Sequence, residues 1–189
     1  MMTTNNRRQM EGTCFLAAYI ASIPAANWLI QHVGTVCSPN SPCLIPVGPG
    51  GLMAPSGVLM VGLALVLRDL VQRRLGTAYG LGAILIGTLL SALLAPASLV
   101  VASAIAFLLS ELVDFAVFTP LQRRGLVLAV LASSAIGLIA DSILFLWLAF
   151  GSLQFVTGQI VGKAVMVLAT LPAIEWLRRR DDRLGLART

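Results

Sequence analysis

The chain has little charge. Asp, Glu, Lys and Arg make up 11% of its 189 residues, less than half of the share, about 25%, carried by an ordinary soluble domain. No soluble globule can be dressed from so few polar groups when 58% of the residues are hydrophobic, and the same apolar content excludes a disordered chain. The 17 glycines and 9 prolines follow no period, which excludes collagen. There is one histidine, His32, and no thiols or carboxylates surround it at ligand spacing, which excludes a zinc site. GxSxG, HExxH and P-loop runs are missing, as are the paired Asp motifs of an aspartyl intramembrane protease. The chain therefore reads as a non-enzyme without catalytic residues or a cofactor. No alternating pattern of about ten residues recurs, which excludes a β-barrel. An all-α integral membrane protein remains.

What the sequence does have is long apolar runs. Set against the roughly 20 apolar residues that a crossing helix needs, they predict six spans near 14–33, 52–71, 77–95, 97–118, 126–150 and 153–177, in a single membrane domain over 1–189. Of the 13 basic residues, all but Lys163 fall between these runs or near their ends. Arg7 and Arg8 precede the first; Arg68, Arg73 and Arg74 close the second; Arg123 and Arg124 follow the fourth; and Arg178, Arg179, Arg180, Arg183 and Arg188 form a basic tail over 178–189. Connectors 34–51, 95–97 and 151–153 hold no Lys or Arg. Positive residues are retained on the cytoplasmic side, so the expected topology is a six-transmembrane-helix bundle, N-in/C-in. Short basic clusters of this kind are topology signals and not a nucleic-acid surface, despite the net charge of +5. No small-residue cleavage site leads from the first apolar run into a soluble chain, so that helix is expected to stay.

Connector 34–51 is rich in Pro and Gly and is expected to form a turn-rich cap on the outer side. Cys37 and Cys43 lie in it, where an oxidising compartment permits a disulfide. Cys14 reads as a small buried apolar residue. Ala17, Ala21 and Ala25, flanked by Ala18, Ser22 and Ala26, suggest close helix packing in the first span. Trp28, Trp147 and Trp176 fall near span ends, where an aromatic belt is expected. The Phe and Leu residues of the fifth span read as lipid-facing bulk.

An ionisable group in hydrocarbon costs about 2.5–3.5 kcal/mol and asks for a partner or a role. Asp141 lies nine residues before the end of the fifth span, and Lys163 ten residues after the start of the sixth. At about 1.5 Å per residue both sit roughly 13–15 Å below the outer boundary. A tight connector makes these helices antiparallel neighbours, so the two charges can face one another or a shared cavity. Ser134 and Gly137 share a face with Asp141, and Gln159 and Thr170 share one with Lys163. Glu111 and Asp114 stand three apart in the fourth span, at a depth similar to Asp69 in the second. Snorkelling by Arg68 or the loop arginines would neutralise these three, and a purely structural ion pair remains open for Asp141 and Lys163. Asn27, after Pro24, is an interhelical anchor or a ligand contact.

The segments PAANWLIQ, APSGVLMVGLALVLRDLVQRRLG, AFLLSELVDFAVFTPLQRR, SSAIGLIADSILFLWLAF and GKAVMVLATLPAIEWL resemble the queuosine-precursor transporter family, also known as the vitamin uptake transporters. Asn27, Asp69, Asp114, Ser133, Asp141 and Lys163 carry the resemblance. It implies a bacterial inner-membrane, multi-pass importer of 7-deazaguanine bases, precursors of the tRNA nucleoside queuosine, similar in fold to the substrate-capture subunits of energy-coupling-factor importers. Its implied partners are a small purine-like base and the lipid bilayer, with a homo-oligomer and a separate ATP-driven module left open. The candidate binding residues are Asn27, Asp69, Glu111, Asp114, Ser134, Asp141, Gln159 and Lys163. Members of the family tend to carry Gln where Glu111 stands, so Glu111 is expected either to contact the base or to couple its uptake to a proton. The disulfide loop is not expected of the family. Three functions compete: an importer working by alternating access, a capture subunit that needs the ATP-driven module, and an accessory protein whose charges only pin its helices.

Overall fold

A computed structural model describes residues 4–37, 42–48 and 51–184. Six helices form one bundle: α1 (Thr4–His32), α2 (Val58–Leu75), α3 (Thr77–Leu94), α4 (Val100–Leu121), α5 (Leu126–Phe150) and α6 (Val156–Leu184). Between α1 and α2 the strands β1 (Leu44–Pro46) and β2 (Met53–Pro55) pair antiparallel, Ile45 opposite Ala54. A 3-10 turn at Ala97–Leu99 leads into α4. Among the described residues, five helices are long and apolar enough to cross a membrane: α1, α3, α4, α5 and α6. Much of the outer surface is apolar, with Leu85, Leu89, Leu93, Val101 and Leu168 exposed, as expected of side chains that face lipid rather than water.

The second helix is the exception in composition and the centre in position. It carries Arg68, Asp69, Arg73 and Arg74, yet twelve of its eighteen residues are buried. It runs antiparallel to α1: Gly57, just before α2, packs on Ala26, while Leu75 at the other end packs on Gly12. A Cβ placed on Gly62 would come within 2.6 Å of the Lys163 carbonyl oxygen, so α2 and α6 touch backbone to backbone. The apolar core fills in around it, with Leu65, Val66, Phe118, Val130 and Ile174 in one cluster and Tyr19, Ala64, Val71 and Phe107 in another. Gly76 has φ +105°, a conformation few residues other than glycine adopt, and this makes the one-residue turn between α2 and α3 possible.

Several boundaries differ from the sequence reading. The predicted start of the second span, residue 52, falls in the hairpin, because Met53–Pro55 bonds to β1 and the helix begins only at Val58. The same helix continues past 71 because Arg73 and Arg74 are paired rather than solvated. α6 likewise runs past 177, since Arg180 and Asp181 find partners. Cys14 is exposed, not buried, and Ala17, Ala18 and Ala21 also face outward instead of packing inside the bundle. Cys37 and Cys43 form a disulfide, with Cα atoms 4.3 Å apart. Residues 38–41 and 49–50 of the connector, and Arg188 of the tail, lie outside the described residues. The Trp28, Trp147 and Trp176 rings are all exposed.

Candidate functional site

The bundle has two ends, and its polar residues are layered between them. The hairpin, the α3–α4 connector and the α5–α6 connector lie at one end. The start of α1, the end of α2 and the end of α6 meet at the other, where Arg180 reaches Glu11 at 2.6 Å.

A cavity of about 90 Å³ opens in the hairpin half. Asn27 from α1, Phe107 from α4, Asp141 and Phe145 from α5, and Gln159 and Lys163 from α6 line it, with Ser91 and Ser103 adding hydroxyls and Pro55 of the hairpin adding wall. The Lys163 ammonium donates to Asp141 Oδ2 at 2.6 Å, Ser142 Oγ at 2.8 Å and Gln159 Oε1 at 2.8 Å. All three of its hydrogens are thereby used. Lys163 is wholly buried while Asp141 keeps 8% exposure, so a solute entering the cavity meets the carboxylate before the ammonium. Ser110 of α4 donates to the other oxygen, Asp141 Oδ1, at 3.4 Å. Asn27 Nδ2 donates to the Ile23 carbonyl at 3.0 Å, which leaves its Oδ1 as an acceptor. Gln159, with its carbonyl engaged, retains Nε2 as a donor. The cavity thus combines acceptors, an amide donor, hydroxyls and two phenyl rings.

The second layer is built on Arg68, which is fully buried. Its guanidinium meets Asp69 Oδ1 at 2.9 Å, Glu111 Oε2 at 2.9 Å and Asp114 Oδ1. It also donates to Gln72 Oε1 at 3.0 Å, and Gln72 donates to Thr119 at 2.9 Å. Phe115 and Phe118 place their rings within 5.9 Å of the guanidinium carbon, a distance at which the ring face attracts a cation. Ser133 Oγ donates to Asp69 Oδ2 at 3.0 Å. α5 reaches this layer because Gly137 has no side chain: a Cβ there would lie 3.0 Å from Asp114 Oδ2.

A third layer closes the far end. Arg74 holds Asp181 through two hydrogen bonds of 2.8 Å and also meets Glu11 Oε2 at 2.9 Å. Arg73 and Arg180 flank the same Asp181 carboxylate at 3.4 and 3.6 Å.

The residues singled out from the sequence therefore separate. Asn27, Asp141, Gln159 and Lys163 come together on the cavity, whereas Asp69, Glu111 and Asp114 gather on Arg68. Ser134 joins neither group: its hydroxyl is buried without a hydrogen-bond partner, and its neighbour Ser133 makes the polar contact instead. Arg68 does not snorkel, because three carboxylates around it replace the water it would otherwise seek. Ser110, Ser142, Phe107 and Phe145 were missed. Ser142 could have been found as the neighbour of Asp141, but Phe145 looks like any other lipid-facing residue of α5. Among the described residues no group of His, Cys, Asp and Glu is arranged to hold a metal ion.

No curated protein and no solved structure matches the chain. Residues 92–177, which contain Glu111, Asp114, Asp141 and Lys163 of the layers above, match the family described as putative vitamin uptake transporter, the family that the helix sequences resemble.

Proposed function

We propose that this protein imports a 7-deazaguanine base, a queuosine precursor, across the bacterial inner membrane by alternating access. The cavity in the hairpin half carries the reading. Phe107 and Phe145 offer flat apolar walls for a planar ring. Asp141 and Asn27 offer acceptors, and Gln159 a donor, for the amine, ring NH and lactam oxygen of such a base. Substrate sites near the midplane between helices are common in transporters.

The match to a transporter family over α4, α5 and most of α6 supports transport. Topology follows the same reading. The start of α1 and the end of α6 meet at one end of the bundle, and a chain returns to its starting side only after an even number of crossings. We therefore read α2 as a sixth span and place both termini in the cytoplasm, where the exposed Arg123 and Arg124 also lie. The cavity then faces outward, and the Arg74–Asp181 layer closes the cytoplasmic end.

One observation favours a capture subunit instead. Ala17, Ala18 and Ala21 present a small, smooth, outward face on α1, which suits close approach by another membrane helix. The deciding experiment expresses the gene in cells that cannot make queuosine precursors and also lack any ATP-driven coupling module. Supplied with a 7-deazaguanine base, these cells should regain queuosine in their tRNA. Rescue only when the module is restored would establish the capture subunit. No rescue in either background would leave an accessory protein.

A further inference from the structure

The Arg68 layer contains more negative groups than its cation can balance. Asp69 and Arg68 come from α2, and Glu111 and Asp114 from α4; among the described residues the charged groups beyond them are Asp141 of α5 and Lys163 of α6, already paired with each other, and Tyr19 of α1 is a further titratable neighbour. If all three carboxyls on Arg68 were ionised, two negative charges would stay uncompensated in a dry interior, a state that buried groups avoid. The oxygens show the same shortage. Glu111 Oε1 and Asp114 Oδ2 are each buried without a hydrogen-bond donor, although Arg68 satisfies the other oxygen of each group, while Asp69 is met by Arg68 at Oδ1 and by Ser133 at Oδ2. Asp69 and Asp114 are held by the same guanidinium, and two carboxyls that share one site repel each other unless one of them holds a proton.

We propose that this cluster is the ion-coupling site of the transporter and that it carries a proton, shared between Asp69 and Asp114 with Glu111 as a further acceptor, inward with the base. The proposal rests on the transport reading above. The step is a proton transfer alone: a carboxylate takes a proton from water on the outer side and returns it to water on the inner side when the bundle alternates. A metal ion does not suit the position, because the Arg68 guanidinium occupies the point on which the carboxylates converge. Coupling to the base has a physical route through α4. Ser110 contacts Asp141 at the cavity, and the next residue, Glu111, holds Arg68. A shift of α4 that accommodates the base therefore also moves one wall of the proton site.

The test uses the full chain, purified and reconstituted in liposomes. Exchange of labelled base between equal internal and external pools measures transport with no gradient applied. Making the outside one pH unit more acid should then accumulate base up to about tenfold, the ratio that one pH unit drives when one proton moves with each neutral base. Exchange without pH-driven accumulation would overturn the coupling and leave the transport reading intact. Accumulation driven by a sodium gradient at equal pH would also overturn it. Absence of exchange would overturn the transport reading and the coupling with it.

Infrared spectroscopy of the protein without base supplies an independent arm. A carboxylic-acid carbonyl band should be present at neutral pH and weaken in Asp114→Asn, and absence of that band in the native protein would overturn the proposal by itself. Where Asp114→Asn does not fold, Glu111→Gln, which keeps the shape and hydrogen bonding of the side chain but cannot titrate, serves in its place. It should flatten the dependence of uptake on external pH, and an unaltered pH profile would overturn the proposal.

Discussion

Lys163 and Arg68 are both fully buried cations, and their surroundings differ in a way that separates two tasks. Lys163 meets one carboxylate, one hydroxyl and one amide oxygen, and nothing on it is left over. Arg68 meets three carboxylates, and one oxygen of Glu111 and one of Asp114 remain without a donor. The balanced cluster borders the cavity, and on the proposed function it offers a base a fixed set of partners that does not change charge. The unbalanced cluster lies away from it, sealed by Phe115 and Phe118.

This contrast can be broken most severely at Arg68. Arg68→Met would leave three carboxylates without a cation, and removing one partner from a buried ionic cluster costs about 3–5 kcal/mol. We expect little folded protein, measured as monodisperse material after extraction into detergent. Lys163→Met strands only Asp141, which retains some exposure; it should yield folded protein and abolish uptake, while Asp141→Asn should impair uptake. Restoration of uptake in the Lys163→Met/Asp141→Asn double variant would show the pair to be structural. Wild-type uptake by Lys163→Met alone would remove Lys163 from the site.

Gly137→Ala is a gentler probe of the unbalanced cluster. Its Cβ would press on Asp114 at 2.9–3.0 Å, and overpacking of this kind costs about 1–3 kcal/mol. Thermal unfolding should show the loss, and the pH dependence of uptake should move with it while base preference holds. The smallest effect is expected outside both clusters. Reducing the Cys37–Cys43 bridge should leave uptake near the native level, and the freed thiols should then react with an impermeant reagent added from outside. Labelling only from the cytoplasm would invert the topology.

How much of this was legible in the sequence depended on the kind of information each contact needs. Asp141 and Lys163 could be paired from residue counts, because a tight connector fixes the relative depth of two helices. The helical bundle followed from apolar length. The partition of the remaining acids did not follow, because Asp69, Glu111 and Asp114 lie at depths that place them equally well in a cavity or around Arg68. Helix rotation and tilt decide between these, and the small residues that set them, Gly62 and Gly137, carry no signal in a residue count. The start of α2 was misplaced for a related reason: Met53–Pro55 is apolar enough for a helix, but its partner strand lies seven to eleven residues upstream, beyond any local pattern.

The position of α2 also bears on how the protein is made. A helix that carries Arg68, Asp69, Arg73 and Arg74 is a poor candidate to enter lipid alone, since each charge costs about 2.5–3.5 kcal/mol at the centre of an inserting segment. Its counter-charges arrive in instalments as synthesis proceeds: Glu11 is already present, Glu111 and Asp114 come with α4, and Asp181 emerges 107 residues after Arg74. If α2 is the sixth span proposed above, it must until then be sheltered by the insertion machinery or by its neighbours. On the six-span reading, chains truncated before α6 should therefore fail to retain α2 in the membrane, because α6 brings the counter-charge that completes its pairing.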